Sequence, residues 1–155
     1  MKNELTGNAI ELLKADHLKV SAAFKKYKTL DSNDYATKTT LIDQICSDLT
    51  KHAIVEEEIF YPAVEESSEE GRELILKALD EHAGAKALIA EIVELSSRDE
   101  EFDSKVMELA EDVEKHVAEE ENEIFPLAKQ MEVDLEGLGQ IIAERKEELE
   151  SEELA

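Results

Sequence analysis

Apolar residues recur along this chain at spacings of three and four, the period of one face of an α-helix. In the first stretch, read from 5 to about 30, Ile10, Leu13, His17, Val20 and Phe24 share one stripe, so a histidine sits inside an apolar face. The polar run 31–34 predicts a turn. A second helix, 35–64, turns Leu41, Ile42, Ile45, Leu49, His52, Glu56, Ile59 and Phe60 inward, and Pro62 is expected to kink or end it. Ser67 with Glu70 has capping-box spacing and opens a third helix, with Leu74, Ile75, Leu79, His82, Lys86, Ile89 and Val93 on its stripe. After a break at 96–101, a fourth helix over roughly 102–131 faces Val106, Leu109, Val113, His116, Glu120, Ile124 and Leu127 inward. Asp134 caps a shorter fifth helix, about 134–150, carrying Leu135, Leu138, Ile141, Ile142 and Leu149 under a charge-rich outer face. Nothing alternates with the period of a strand. The expectation is all-α: an up-down-up-down four-helix bundle over about 5–131 with a short fifth C-terminal helix, all within one domain, 1–155.

Composition narrows the class. The 155 residues suffice for one core, and 42% of them are hydrophobic. Forty acidic against 17 basic side chains give a net charge of −23, which repels phosphate backbones and anionic lipid, so neither nucleic acid nor membrane is expected as a partner. Cys46 is the single cysteine, so no internal disulfide forms; it reads as a small buried hydrophobe and fits a reducing cytosol. The opening MKNELTGNAI lacks the apolar centre of a signal peptide, and no apolar run reaches membrane-span length. A soluble cytoplasmic protein is expected.

The candidate chemistry lies in a repeat. HAIVEEEIFYP (52–62) and HVAEEENEIFP (116–126) both place Glu four and five residues after His, an aromatic nine after and Pro ten after. Residues four apart stand on one helix face, so His52 with Glu56, and His116 with Glu120, point the same way. His17 follows Asp16 and His82 follows Glu81; the offsets between halves are 65 and 64 residues. All four histidines of the chain are thus used, one per helix. Two glutamates inside apolar stripes are costly to bury unless paired or bound to metal. Four imidazoles and two carboxylates suit iron, manganese or zinc rather than magnesium or calcium. Six donors exceed one tetrahedral zinc and match two ions bridged by Glu56 and Glu120, with positions left open for a small molecule. Glu57 and Glu121 stand one step off that face and are read as solvated or as supports for the ligands. Tyr27 is read as a core aromatic.

These motifs, with the tail LEGLGQIIAERKEEL (135–149), resemble the hemerythrin-like HHE cation-binding domain over nearly the whole chain. The resemblance implies a four-helix bundle with a non-haem di-iron centre, its two Fe ions bridged by Glu56, Glu120 and a solvent-derived oxygen, with Mn or Zn as substitutes. Family members include oxygen carriers, oxygen or redox sensors, an iron-sensing ubiquitin-ligase domain, and proteins linked to nitric oxide or peroxide defence. The chain departs from the oxygen carriers in its third helix. They have HxxxH there; this chain has His82 and then Lys86, whose ammonium must snorkel away, bind neutral or meet an anionic adduct. That departure disfavours simple reversible oxygen carriage. Three function classes follow: a di-iron protein that binds or reacts with dioxygen, peroxide or nitric oxide; a di-iron enzyme with catalase-like or oxidase activity; and a zinc-bound or metal-free helical interaction module.

Overall fold

The computed structural model describes residues 7–154, which form five helices and no strand. α1 is Ala9–Lys28. Asn8 caps it, accepting from the Glu11 amide at 3.0 Å while the Glu11 carboxylate accepts from the Asn8 amide at 2.9 Å. The helix therefore starts later than its apolar pattern alone suggested; 5–6 lie outside the described residues. α2 is a rod of three segments: Tyr35–Val55, a π turn at Glu56–Phe60, and Tyr61–Ser67. α3 is Glu69–Val93. α4 repeats the plan of α2, with Phe102–Glu119, a π turn at Glu120–Ile124, and Phe125–Gln130. α5 is Leu135–Leu154, with Asp134 accepting from the Gly137 amide at 3.1 Å as expected.

Pro62 does not end α2. The π turn ahead of it closes from the Tyr61 N–H to the Glu56 carbonyl, and Pro62, which has no N–H, lies just inside the next segment. Pro126 follows the second π turn in the same way, after the bond from the Phe125 N–H to the Glu120 carbonyl. Both π turns begin at the inward glutamates of the repeat. The cap of α3 also shifts by one residue. Ser68 accepts from the Gly71 amide at 2.9 Å, whereas Ser67 donates its hydroxyl to the Val64 carbonyl at 2.7 Å. With Ser68 extended between them, α2 and α3 turn so closely that a Cβ on Gly71 would lie 2.4 Å from the Val64 carbonyl oxygen.

The core divides in two along the rods. One apolar cluster gathers Leu13, Phe60, Tyr61, Ile75, Phe125 and Ile142; the other gathers Phe24, Tyr27, Ile45, Ile92, Phe102 and Leu109. On every rod of the bundle the histidine falls between the two clusters. The expected stripes hold on α1, α2 and α4, and drift on α3 and α5. Val93 and Ile141 are exposed, and Ala78, Leu88 and Ile92 fill the inner face of α3 instead. α5 packs along α1 and α2 only in part through Leu149 and Ile142; Gly139 lets it approach the backbone of Gly7 and Asn8. No helix among the described residues is long and apolar enough to cross a membrane.

Candidate metal centre

The π turns carry the two glutamates to the bundle axis, where Glu56 and Glu120 are both fully buried. Each carboxylate divides its oxygens between two histidine pairs. Glu56 sets Oε2 3.2 Å from His52 Nε2 and Oε1 3.1 Å from His82 Nε2. Glu120 sets Oε1 3.0 Å from His17 Nε2 and Oε2 3.7 Å from His116 Nε2. The imidazoles pair with matching geometry: His17–His52 and His82–His116 both have ring centroids 4.9 Å apart, crossed at 65° and 64°. Two groups of donor atoms result. One is His17, His52, Glu56 and Glu120; the other is Glu56, His82 and His116, each within 4.8 Å.

Every histidine is held from behind. Nδ1 of His17 lies 2.7 Å from Glu121, that of His52 2.8 Å from Asp16, that of His82 2.7 Å from Glu57, and that of His116 2.6 Å from Glu81. The four pairs run in a closed ring: α1 supports α2, α2 supports α3, α3 supports α4, and α4 supports α1. Each supporting carboxylate is the chain neighbour of a histidine or of an inward glutamate. An ionised carboxylate only accepts, so each Nδ1 carries a proton and the Nε2 lone pair faces the axis.

This fixes what the first group lacks. His17 Nε2, His52 Nε2, Glu56 Oε2 and Glu120 Oε1 are buried and have no hydrogen-bond partner, although they approach one another to 3.0 and 3.2 Å. An unmatched buried polar atom costs about 1–3 kcal/mol. Two remedies fit. One is a second proton on the imidazole. The other is a cation: donors about 2.1 Å from an ion stand roughly 3.0 Å apart at right angles and 3.4 Å apart at tetrahedral angles. The first remedy appears in the proton affinities. Burial disfavours the charged imidazole of His17, yet Glu120 raises its pKa above the ordinary value; burial is likewise outweighed at His52 and His82 by Glu56. Glu56 is held low in spite of burial, by His52 and His82, while burial and the charge of Glu56 push Glu120 up. Protons and a metal ion therefore compete for the same space.

In the second group Tyr61 fills the gap. Tyr61 is 1% exposed, and its hydroxyl donates to Glu120 Oε2 at 2.6 Å and lies 3.0 Å from Glu56 Oε1 and 3.3 Å from both His82 Nε2 and His116 Nε2. Burial and the two carboxylates raise its pKa far above that of free tyrosine. Tyr61 is the ninth residue after His52. Its counterpart in the other half, Phe125, has no hydroxyl and stacks on His17 with centroids 5.9 Å apart. Sequence reasoning noted an aromatic there and missed the chemistry; the signal was Tyr in one half against Phe in the other.

A family model, the hemerythrin HHE cation binding domain, matches residues 8–128. The chain belongs to this family. Its relatives include a "DNA nickase" of Nostoc, 36% identical over 76% of this chain and 32% of that protein. An uncharacterized hemerythrin-like protein of Schizosaccharomyces pombe is 31% identical over 72% of this chain and 54% of that one. The chain thus spans about a third to half the length of these two relatives. A solved hemerythrin HHE cation binding domain-containing protein of Mycobacterium kansasii superposes with a TM-score of 0.82, covering 96% of this chain and 91% of that one at 23% identity, which shows the shared helical fold. As an HHE domain, this chain has a cation-binding His/Glu cluster at its centre.

The structure brings the six expected residues together and sets Glu57 against His82 and Glu121 against His17, each 2.7 Å from Nδ1. Lys86 does not reach the donors. Its side chain is 59% exposed and its Nζ lies 3.2 Å from Glu57 Oε1, so it braces the carboxylate that holds His82. Cys46 is buried with its thiol pushed up to about 11 by burial and Asp43, as expected of an inert hydrophobe. Tyr27 is a core aromatic with one polar tie, to Asp103 at 2.6 Å.

Proposed function

We propose that the chain is a cytoplasmic di-iron protein that reacts with dioxygen, peroxide or nitric oxide. His17 and His52 would hold one ion, and His82, His116 and Tyr61 the other, with Glu56 and Glu120 shared between them. The observation that carries this reading is the set of four buried donor atoms without partners, all in the first group. The divided oxygens of Glu56 and Glu120 support a shared pair of ions. Mixed imidazole, carboxylate and phenol donors favour iron, and accept manganese or zinc, over magnesium or calcium. Iron so held would supply one-electron redox exchange with a small oxidant.

The chain's own residues do the rest. Asp16, Glu57, Glu81 and Glu121 fix each imidazole's tautomer and orientation. Without an ion, the Tyr61 hydroxyl donates to the shared carboxylates and holds them in place. Phe60, Phe125 and Ile75 exclude water from one side of the centre. The net charge of −23 opposes a polyphosphate strand, so the activity named for the Nostoc relative is not extended to this chain. Catalase-like or oxidase turnover is the second reading, favoured by the solvent-open cavity beside the histidines.

Elemental analysis after anaerobic reconstitution with iron tests the reading. About two irons per chain are expected, with His52→Ala and Glu56→Ala each losing metal. A folded protein that takes up no iron overturns it. Turnover of added peroxide, against a single stoichiometric reaction, separates the two functional readings.

A further inference from the structure

Next to the histidines lies a cavity of about 350 Å³. At the ~30 Å³ share of one water, that is room for roughly twelve water-sized groups, where a diatomic or peroxide needs one or two. It is also within the size range of small-molecule pockets. One or two turns from the histidines its wall is apolar: Val20, Leu49, Ile89 and Val113, one from each bundle rod. Leu49, Ile89 and Val113 stand on inward stripes yet stay half-buried, so the rods leave apolar surface uncovered there.

The rim has its own chemistry. Gly84 lies in mid-helix, where glycine is disfavoured, and a Cβ there would meet nothing within 4 Å; no packing demand explains it, and it keeps the rim low. Lys86 and Lys115 line the same rim. Lys86 is shared with Glu57, and Lys115 has no ion pair within 4.0 Å among the described residues. Asp112 is the one exposed acid of the lining. Asp16 and Glu81 are already engaged by His52 and His116.

We propose that this cavity binds a small amphipathic organic anion, a carboxylate whose apolar body lies along Leu49, Ile89 and Val113 and whose head meets Lys115 and Lys86. His17, His52, His82 and His116 line the same cavity, but the apolar wall and the lysines act without any ion, so the proposal does not rest on the di-iron reading.

Titration calorimetry with decanoate, decanol and decyltrimethylammonium tests it, on metal-free and iron-loaded protein, with iron content measured separately. Decanoate is expected to bind both forms at micromolar concentration, at least tenfold more tightly than decanol, with no binding of the cation. Val113→Phe and Ala85→Leu fill the cavity from two different helices and should each weaken decanoate at least tenfold; Lys115→Glu should do the same, while the distant Lys14→Glu should not. Helical circular dichroism checks that each variant is folded. No decanoate binding by the unmodified protein overturns the proposal. So does unchanged affinity in both filled variants, or decanol or the cation binding as tightly as decanoate. Protein that binds decanoate but holds no iron refutes only the di-iron reading.

Discussion

Tyr61→Phe isolates the hydroxyl that separates the two halves of the centre. Phenylalanine keeps the ring, its packing at 6.2 Å from Phe60, and the volume, so no cavity opens. What is lost is one donor to a buried carboxylate at 2.6 Å, with a second carboxylate at 3.0 Å. Hydrogen bonds to charged groups contribute about 1.5–3 kcal/mol, so metal-free protein should lose about 2 kcal/mol. For a chain of this size each kcal/mol moves Tm by about 2–4 °C, giving a fall of roughly 4–8 °C by circular dichroism. In iron-loaded protein the same change removes a donor from the second group alone. A chelator titration should then show one ion leaving well before the other, where the unmodified protein releases both late. A metal-free Tm within 1 °C of the parent, together with unchanged chelator resistance, would refute the role given to this hydroxyl.

The supporting ring predicts that Asp16→Ala and Glu81→Ala, neither touching the donor atoms, each lower metal affinity by about 10–100-fold in a competition assay. The pH dependence of the metal-free protein follows from its proton affinities. His17, His52 and His82 titrate above the ordinary 6.5, so their stabilisation is complete below that value and is lost as pH rises through the raised ones. Glu120, raised from 4.5, acts in the same direction, and Glu56, held low, adds nothing across neutral pH. Metal-free Tm should thus fall as pH rises above the ordinary histidine value of 6.5 while metal affinity rises, widening the gap between the two forms; a metal-free Tm that climbs with pH contradicts the assignment. Gly71→Ala should destabilise by about 1–3 kcal/mol in thermal unfolding, because its Cβ would press on the Val64 carbonyl at 2.4 Å.

The bundle and its six donors were legible because both obey helical periodicity: His52 and Glu56, or His116 and Glu120, share a face whatever their neighbours do. Periodicity also explains the misses. On α3 the stripe read as ending at Val93 follows a fixed spacing, whereas the real helix drifts until Leu88 and Ile92 face inward. Pro62 is expected to kink or end the helix because a regular α-helix requires an N–H at that position; a π turn one step earlier removes the need, and nothing in local propensity announces it. Lys86 lies four residues after His82 on the ligand face, and of the three outcomes its charge allows, the outward one is found, because Glu57 draws its ammonium away from the donors. Asp16 and Glu81 were visible as repeats and silent as partners, since each serves a histidine on a different helix. Contacts between helices are what the one-dimensional pattern cannot carry.

The same pattern shows where the two halves cease to be copies. The ring of four histidine–carboxylate pairs treats them alike, and so do the paired imidazoles. Three features then break the symmetry. Tyr61, from the first half, gives the His82–His116 group a hydroxyl that Phe125, from the second half, does not give the His17–His52 group. α5 lies against the first half, where Lys146 binds Asp16, the support of His52, and where Lys51 meets Glu150 at 3.1 Å. Lys115, the counterpart of Lys51 by the 64-residue offset, has no such helix over it and lines the cavity instead. The donor group on the two rods that α5 packs against, with His17 and His52, is the one whose atoms lack partners; the group with His82 and His116 receives the Tyr61 hydroxyl from α2, and Lys115 of its own rod lines the cavity. A symmetric scaffold is enough to gather six donors. Two chemically different positions require the symmetry to be broken, and in this chain all three breaks distinguish the same two donor groups.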